Sequence, residues 1–145
     1  MIEPKDLDKI ADLIRENTVK FYQLFDSQNM DGLLTLMRDF GLQNFTLSHW
    51  VAIYQFNRDS LDAEIKHKTS QSFMKFKAEG DTDKLADSKA RAEWYLMLKE
   101  QLLAQKSYTI AKHMHGDVER LIDMLRTKIS ILRKEVETLQ NKETI

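Results

Sequence analysis

The residues best equipped for chemistry lie in Lys66-His67-Lys68-Thr69-Ser70-Gln71-Ser72-Phe73-Met74-Lys75-Phe76-Lys77, where bases alternate with aromatics and no acid intervenes. Binding to a single-stranded nucleic acid needs cations along the phosphate track and flat side chains under the unstacked bases. This segment offers both. The competing reading is structural: on a helix Phe73 and Phe76 share a face with Ile65, so they can form core while the lysines make a solvated rim. A second basic set, including Lys106, Lys112, His113, His115, Arg120, Arg126, Lys128, Arg133 and Lys134, spreads over several helical turns. Within it Lys112 and Arg120 are candidate phosphate contacts, with solubilising charge as the plain alternative.

Other clusters offer less. His115, Glu119 and Asp123 follow one helical face at four-residue steps, but His113 and His115 diverge by about 200° on a helix. No HExxH pattern accompanies them, so an ion-pair ladder is the expectation and no metal site is assigned. His49 beside Trp50 reads as a packing residue. Leu33 to Val51 outlines a helix-turn-helix with Gly41 near the turn. Its second helix (Leu47, Trp50, Val51, Ile53, Tyr54) is too apolar at its start for a major groove. No glycine-rich phosphate loop, nucleophile elbow or paired-carboxylate constellation is found. The expectation is a non-enzymatic protein without a cofactor.

Long helices must position these residues. The 145 residues contain 4 glycines and 1 proline, too little turn chemistry for many strands, so an all-α fold is expected. Pro4 and the acids at 3, 6 and 8 suit a first helical turn. Apolar residues from Leu7 to Phe25 then recur at helical spacing. Asn29 or Asp31 is expected to cap a short helix from Leu33 to Phe40 that Gly41 stops, and Thr46 to cap another, with a possible interruption at Asn57–Ser60. Glu79-Gly80-Asp81-Thr82-Asp83 is the clearest break. Beyond it, Lys84 to Gln140 reads as helix, with Gly116 as the lone interior glycine and Asn141 to Ile145 fraying.

The strongest pattern is a heptad: Val118, Ile122, Leu125, Ile129, Leu132, Val136 and Leu139. Such a narrow seam normally faces another helix, and β-branched residues at a with leucine at d favour two strands. These seven residues are the expected oligomer interface, for a second copy of the chain or another protein. A parallel in-register pair would set Lys128 against Arg133 of the other strand, which disfavours that arrangement. The first half of the same helix (Trp94, Tyr95, Met97, Leu98, Leu102, Leu103, Ile110, Met114) is broadly apolar. It is expected to pack on the N-terminal helices while the heptad meets the partner. The alternative is that one chain buries both faces.

The organisation expected is therefore a small acidic helical head, 1–59, followed by a long helical hairpin, 60–145, ending in a coiled-coil-like arm, 118–139, the whole forming one structural unit. Residues 1–59 hold nine acids against six bases, while 105–134 hold seven bases against three acids. The net charge of −1 argues against a generic polyanion binder. Without cysteine there is neither disulfide nor thiolate site. The N-terminus lacks a basic-then-apolar leader and no apolar run nears the ~18 residues of a membrane span, so a cytoplasmic, membrane-free protein is expected.

The basic, aromatic-bearing helix, the Gly80-Asp81-Thr82-Asp83-Lys84 break, the opening Asp87 to Glu93 and the run Met97 to Lys128 together resemble the small phage recombination mediators of the UvsY type. The likeness covers about the last 80 residues. It implies an oligomer in the host cytoplasm that holds single-stranded DNA and helps to load a recombinase. In that case Lys66, Lys68, Lys75 and Lys77 are strand contacts and Phe73 a stacking platform. A coiled-coil scaffold, adaptor or inhibitor that binds no nucleic acid is the alternative.

Overall fold

The computed structural model describes residues 4–143 and is all-α: α1 (Pro4–Leu24), α2 (Met30–Ala78), α3 (Asp83–Glu93) and α4 (Tyr95–Glu143), with no strand among the described residues. Glu3, expected at the first helix terminus, and Thr144 and Ile145 of the expected fraying end lie outside them. Asn141 to Glu143 belong to α4. No described helix is long and apolar enough to cross a membrane.

Local chemistry explains the ends. Asn29 caps α2, its Oδ1 accepting the Gly32 N–H at 2.9 Å, and the Ser27 hydroxyl donates to the Leu24 carbonyl at 2.6 Å. A Cβ at Gly32 would stand 2.8 Å from Asn29 Nδ2, so glycine leaves room for the cap. At its other end α2 closes in a Schellman motif. Gly80 takes φ +97°, its N–H donates to Lys77 O at 3.1 Å, and the Asp81 N–H donates to Phe76 O at 3.2 Å. Thr82 then caps α3 by accepting the Leu85 N–H at 3.4 Å. This is the break expected at 79–83.

Two other expectations are corrected. Gly41 does not end a helix, and Thr46 does not begin one: α2 runs unbroken for 49 residues. The buried positions Leu33, Leu36, Phe40, Gln43 and Leu47 step by three and four straight past Gly41. Keeping that stripe in register is worth several kcal/mol of burial, against about 1 kcal/mol for an interior glycine. Thr46 instead donates its hydroxyl to Leu42 O inside the helix. The helix-turn-helix outline disappears with the turn, and Asn57–Ser60 is helical throughout. The second correction is at Trp94, where the single helix expected from Lys84 divides into α3 and α4. Trp94 has φ −106° and ψ 22°, and its indole N–H donates to Ser72 Oγ at 2.9 Å. A tertiary hydrogen bond thus sets a kink that helical periodicity does not reveal.

The chain forms two compact units, Met1–His49 with Lys112–Ile145, and Trp50–Ala111. This grouping cuts across the serial head-and-hairpin division at residue 59. In the first unit three stripes supply the core: Leu7, Ile10, Asn17 and Phe21 from α1; Leu33 to Leu47 from α2; and Val118, Ile122, Leu125, Ile129 and Leu132 from α4. All three advance by alternating steps of three and four, with half-buried Ile14 completing that of α1. They form a three-helix core of coiled-coil spacing built from one chain. Its buried polar members are Asn17 and Gln43, and Gln43 Oε1 finds no hydrogen-bond partner.

In the second unit the later part of α2 pairs antiparallel with the first part of α4. Arg58 lies 4.2 Å from the centroid of the Tyr108 ring, Asp62 Oδ1 accepts from Gln101 Nε2 at 2.7 Å, and Ser72 accepts from Trp94. The short α3 packs through Ala86 and Ala90, both buried, whose small side chains permit a close approach. The buried set here is thin: Tyr54, Ile65, Ser72, Ala86, Ala90 and Ala111.

Candidate interaction surfaces

The heptad seam is occupied from within. Val118 and Leu125 are 0% exposed, and Ile122, Ile129 and Leu132 are also buried. Val136 (50%) and Leu139 (62%) continue the seam in the open, and every described side chain from Arg133 to Lys142 is exposed. Of the seven residues expected as an oligomer interface, the chain's own core thus covers five and leaves Val136 and Leu139 open. The physical reason lies in α1 and α2, whose matching stripes fill the role expected of a partner.

The lysine-rich segment is folded on an α2 face whose charge is locally answered. Lys66 Nζ is 2.6 Å from Asp62, and Lys68 Nζ is 2.6 Å from Glu64 and 4.9 Å from the centroid of the Trp94 ring. Lys77 pairs with Asp83 at 2.7 Å and donates to Asp81 O. Lys75 stands 5.4 Å from the Phe76 ring centroid, and Phe73 is half-buried. The hydrogen bond from Lys66 to Asp62, reinforced by the carboxylate's charge, holds that ammonium above its ordinary 10.5. The same kind of bond to Asp59 raises the Arg58 guanidinium. In the first unit Lys112 is exposed, and Arg120 pairs with Asp117 at 3.3 Å. The acid-free appearance of 65–78 thus misleads, since carboxylates arrive from the preceding turn of α2 and from the first residue of α3. The Asp62–Lys66 and Glu64–Lys68 steps of four were the readable signal.

His115 Nδ1 lies 3.8 Å from Glu119, while His113 is exposed. No group of three or more His, Cys, Asp or Glu residues gathers at metal-binding distances among the described residues. His49, expected to pack, is exposed. A polar groove in the second unit is lined by Arg58, Asp59, Asp62, Gln101, Leu102 and Gln105, with its charges paired internally.

The surface that sequence reading missed is the outer face of the first half of α4. Leu96 (74% exposed), Leu103 (58%) and Ile110 recur every seven residues, with Tyr95 and Leu102 in a parallel row beside them. Seven residues return to within about 20° of the same direction on a straight helix, so these rows stay together for two heptads. Lys99 and Lys106 project between the rows. Both are exposed, and neither makes an ion pair with another described residue. The seven-residue spacing of 96, 103 and 110 is legible in the sequence, but only Leu103 and Ile110 of it belong to the apolar set expected to pack on the N-terminal helices. Along α4 the 118–132 part of the seam is therefore core, while Tyr95, Leu96, Leu102, Leu103 and Ile110 lie open.

Elsewhere exposed apolar side chains are sparser. Leu42 and Phe45 sit one turn apart on α2, and Met124 and Ile131 lie on α4 near Phe25, whose ring centroid is 5.7 Å from Lys128 Nζ. No protein-family model, curated protein or solved structure matches this chain.

Proposed function

We propose that this chain is a non-enzymatic helical interaction module that grips a partner helix across the outer face of the first half of α4. One observation carries the reading. The second unit buries only two large apolar side chains, Tyr54 and Ile65, yet holds Tyr95, Leu96, Leu102, Leu103 and Ile110 exposed on a single helix. A helix pair can cover only one face of each member, so this face is left for something else. Its 16 residues span about 24 Å at 1.5 Å per residue, a length that suits a partner helix read at heptad intervals.

The energetics fit a reversible grip. Burying four aliphatic side chains contributes on the order of 6–12 kcal/mol, and association costs about 4–15 kcal/mol. The surplus is at most about 8 kcal/mol, so these contacts alone support an affinity no tighter than about micromolar.

The test is selection of helical peptides from a displayed library against the full chain, followed by Leu96→Asp with Leu103→Asp. Binders that lose affinity for the double variant support the reading. Binders indifferent to it, or none at all, refute it. The single-stranded-DNA reading is checked on the same sample with a labelled oligonucleotide. Binding that falls steeply with salt and is lost in Lys75→Glu/Lys77→Glu would favour the DNA accessory role instead.

A further inference from the structure

The two lysines inside the apolar face specify its occupant. Lys99 and Lys106 stand seven residues apart, about 10.5 Å along the axis, between the Leu96/Leu103/Ile110 row and the Tyr95/Leu102 row. In the same unit Lys66, Lys68, Lys77 and Lys89 each sit within 4 Å of a carboxylate, whereas Lys99 and Lys106, like Lys75 and Lys84 away from this face, pair with none among the described residues. An ammonium enclosed by a docking helix without a counter-charge would lose hydration with nothing to replace it. From this placement we infer that the partner is an acidic amphipathic helix, presenting Asp or Glu at heptad spacing between two apolar rows. The inference rests on the docking role proposed for this face and deepens it by assigning the chemistry of the partner.

The same lysines argue against a second copy of this chain. Parallel in-register self-packing sets Lys99 on Lys99 and Lys106 on Lys106. Antiparallel self-packing centred on Leu102 and Leu103 sets Lys99 on Lys106. Like charges would meet either way, and such contacts act against the wrong partner. A membrane surface fits poorly too, because an interfacial helix keeps its lysines on the polar face rather than along the midline of its apolar one.

The experiment is display selection on the full chain with randomised heptad peptides, run in parallel on wild type and on Lys99→Glu/Lys106→Glu. The wild type is expected to enrich acids seven residues apart between apolar positions, and the charge-reversed chain to enrich bases there. A chosen acidic peptide should bind the reversed chain about tenfold more weakly, with the difference shrinking as salt rises. Enrichment without acids, or the same sequences from both chains, overturns the acidic-partner inference. The docking face itself still stands if Leu96→Asp/Leu103→Asp abolishes that binding, and falls if it does not. Wild-type dimerisation lost on Leu103→Asp, or binding to anionic vesicles or single-stranded DNA without any helix being enriched, overturns the inference as well.

Discussion

Leu125 and Leu139 occupy equivalent seam positions on one helix, yet Leu125 is 0% exposed and Leu139 is 62% exposed. Truncating each to alanine separates a seam filled by its own chain from one filled by a neighbour. At Leu125 the lost transfer energy and the cavity together cost about 3 kcal/mol, near the low end for a buried leucine. For a chain of this length each kcal/mol moves the melting temperature by about 3 °C, so Leu125→Ala should melt roughly 9 °C below wild type. Leu139→Ala should lie within about 0.5 kcal/mol, or under 2 °C. The assay is thermal unfolding followed by circular dichroism at several protein concentrations. Intrachain packing makes the Leu125 loss independent of concentration. Intrachain packing is refuted if both variants melt equally low, or if the wild-type transition climbs with concentration as it must when a subunit interface supplies the stability.

Further outcomes follow from individual positions. Gly41→Ala and Gly116→Ala should each stabilise the fold by about 0.8–1 kcal/mol, because both glycines are inside helices and an added Cβ meets nothing within 4 Å. Denaturant midpoints check this, and a loss at Gly116 would show that α4 bends there. Gly80→Ala should cost about 1–2 kcal/mol in the same assay, since its φ of +97° strains any side chain. Gln43→Leu should raise stability by about 1–2 kcal/mol by replacing a carbonyl that is buried without a partner. Asp62→Asn should lower the Lys66 pKa. With that pKa raised in the folded state, the pair's contribution is fully present below the usual 10.5 and is lost as pH climbs through the folded value. A carbon-detected NMR titration of the lysine side chain reads the shift, and an unmoved pKa refutes the pairing.

How much of this could be read beforehand varied with how local the cause was. The all-α class, the helical character of α4 and the stop at Gly80 follow from composition, periodicity and the φ freedom of glycine, and each is present as expected. The continuity of α2 past Gly41 depends on a buried stripe whose value is tertiary, which a single glycine masks in sequence. Asn17 and Gln43 did similar damage to the partner stripes. As polar residues at seam positions, they hid the three-four rhythm of α1 and α2, and the α4 heptad looked like a helix with no partner at home. The Trp94 kink rests on a hydrogen bond to Ser72, 22 residues away, with no local signature. For the lysines the obscuring factor was the window: the stretch 65–78 excludes the very carboxylates that answer it.

If the exposed Leu96/Leu103/Ile110 face docks a helix, charges placed on it must abolish binding and spare the fold. The most direct measurement compares wild type and Leu96→Asp/Leu103→Asp for melting temperature and for binding of a display-selected helix on the same samples. The expected result is a melting temperature unchanged within about 3 °C, because each exposed position tolerates a charge at a cost of about 0.5 kcal/mol or less, together with loss of binding. A double variant that melts as low as Leu125→Ala would mean the face is core. One that still binds would mean the partner docks elsewhere.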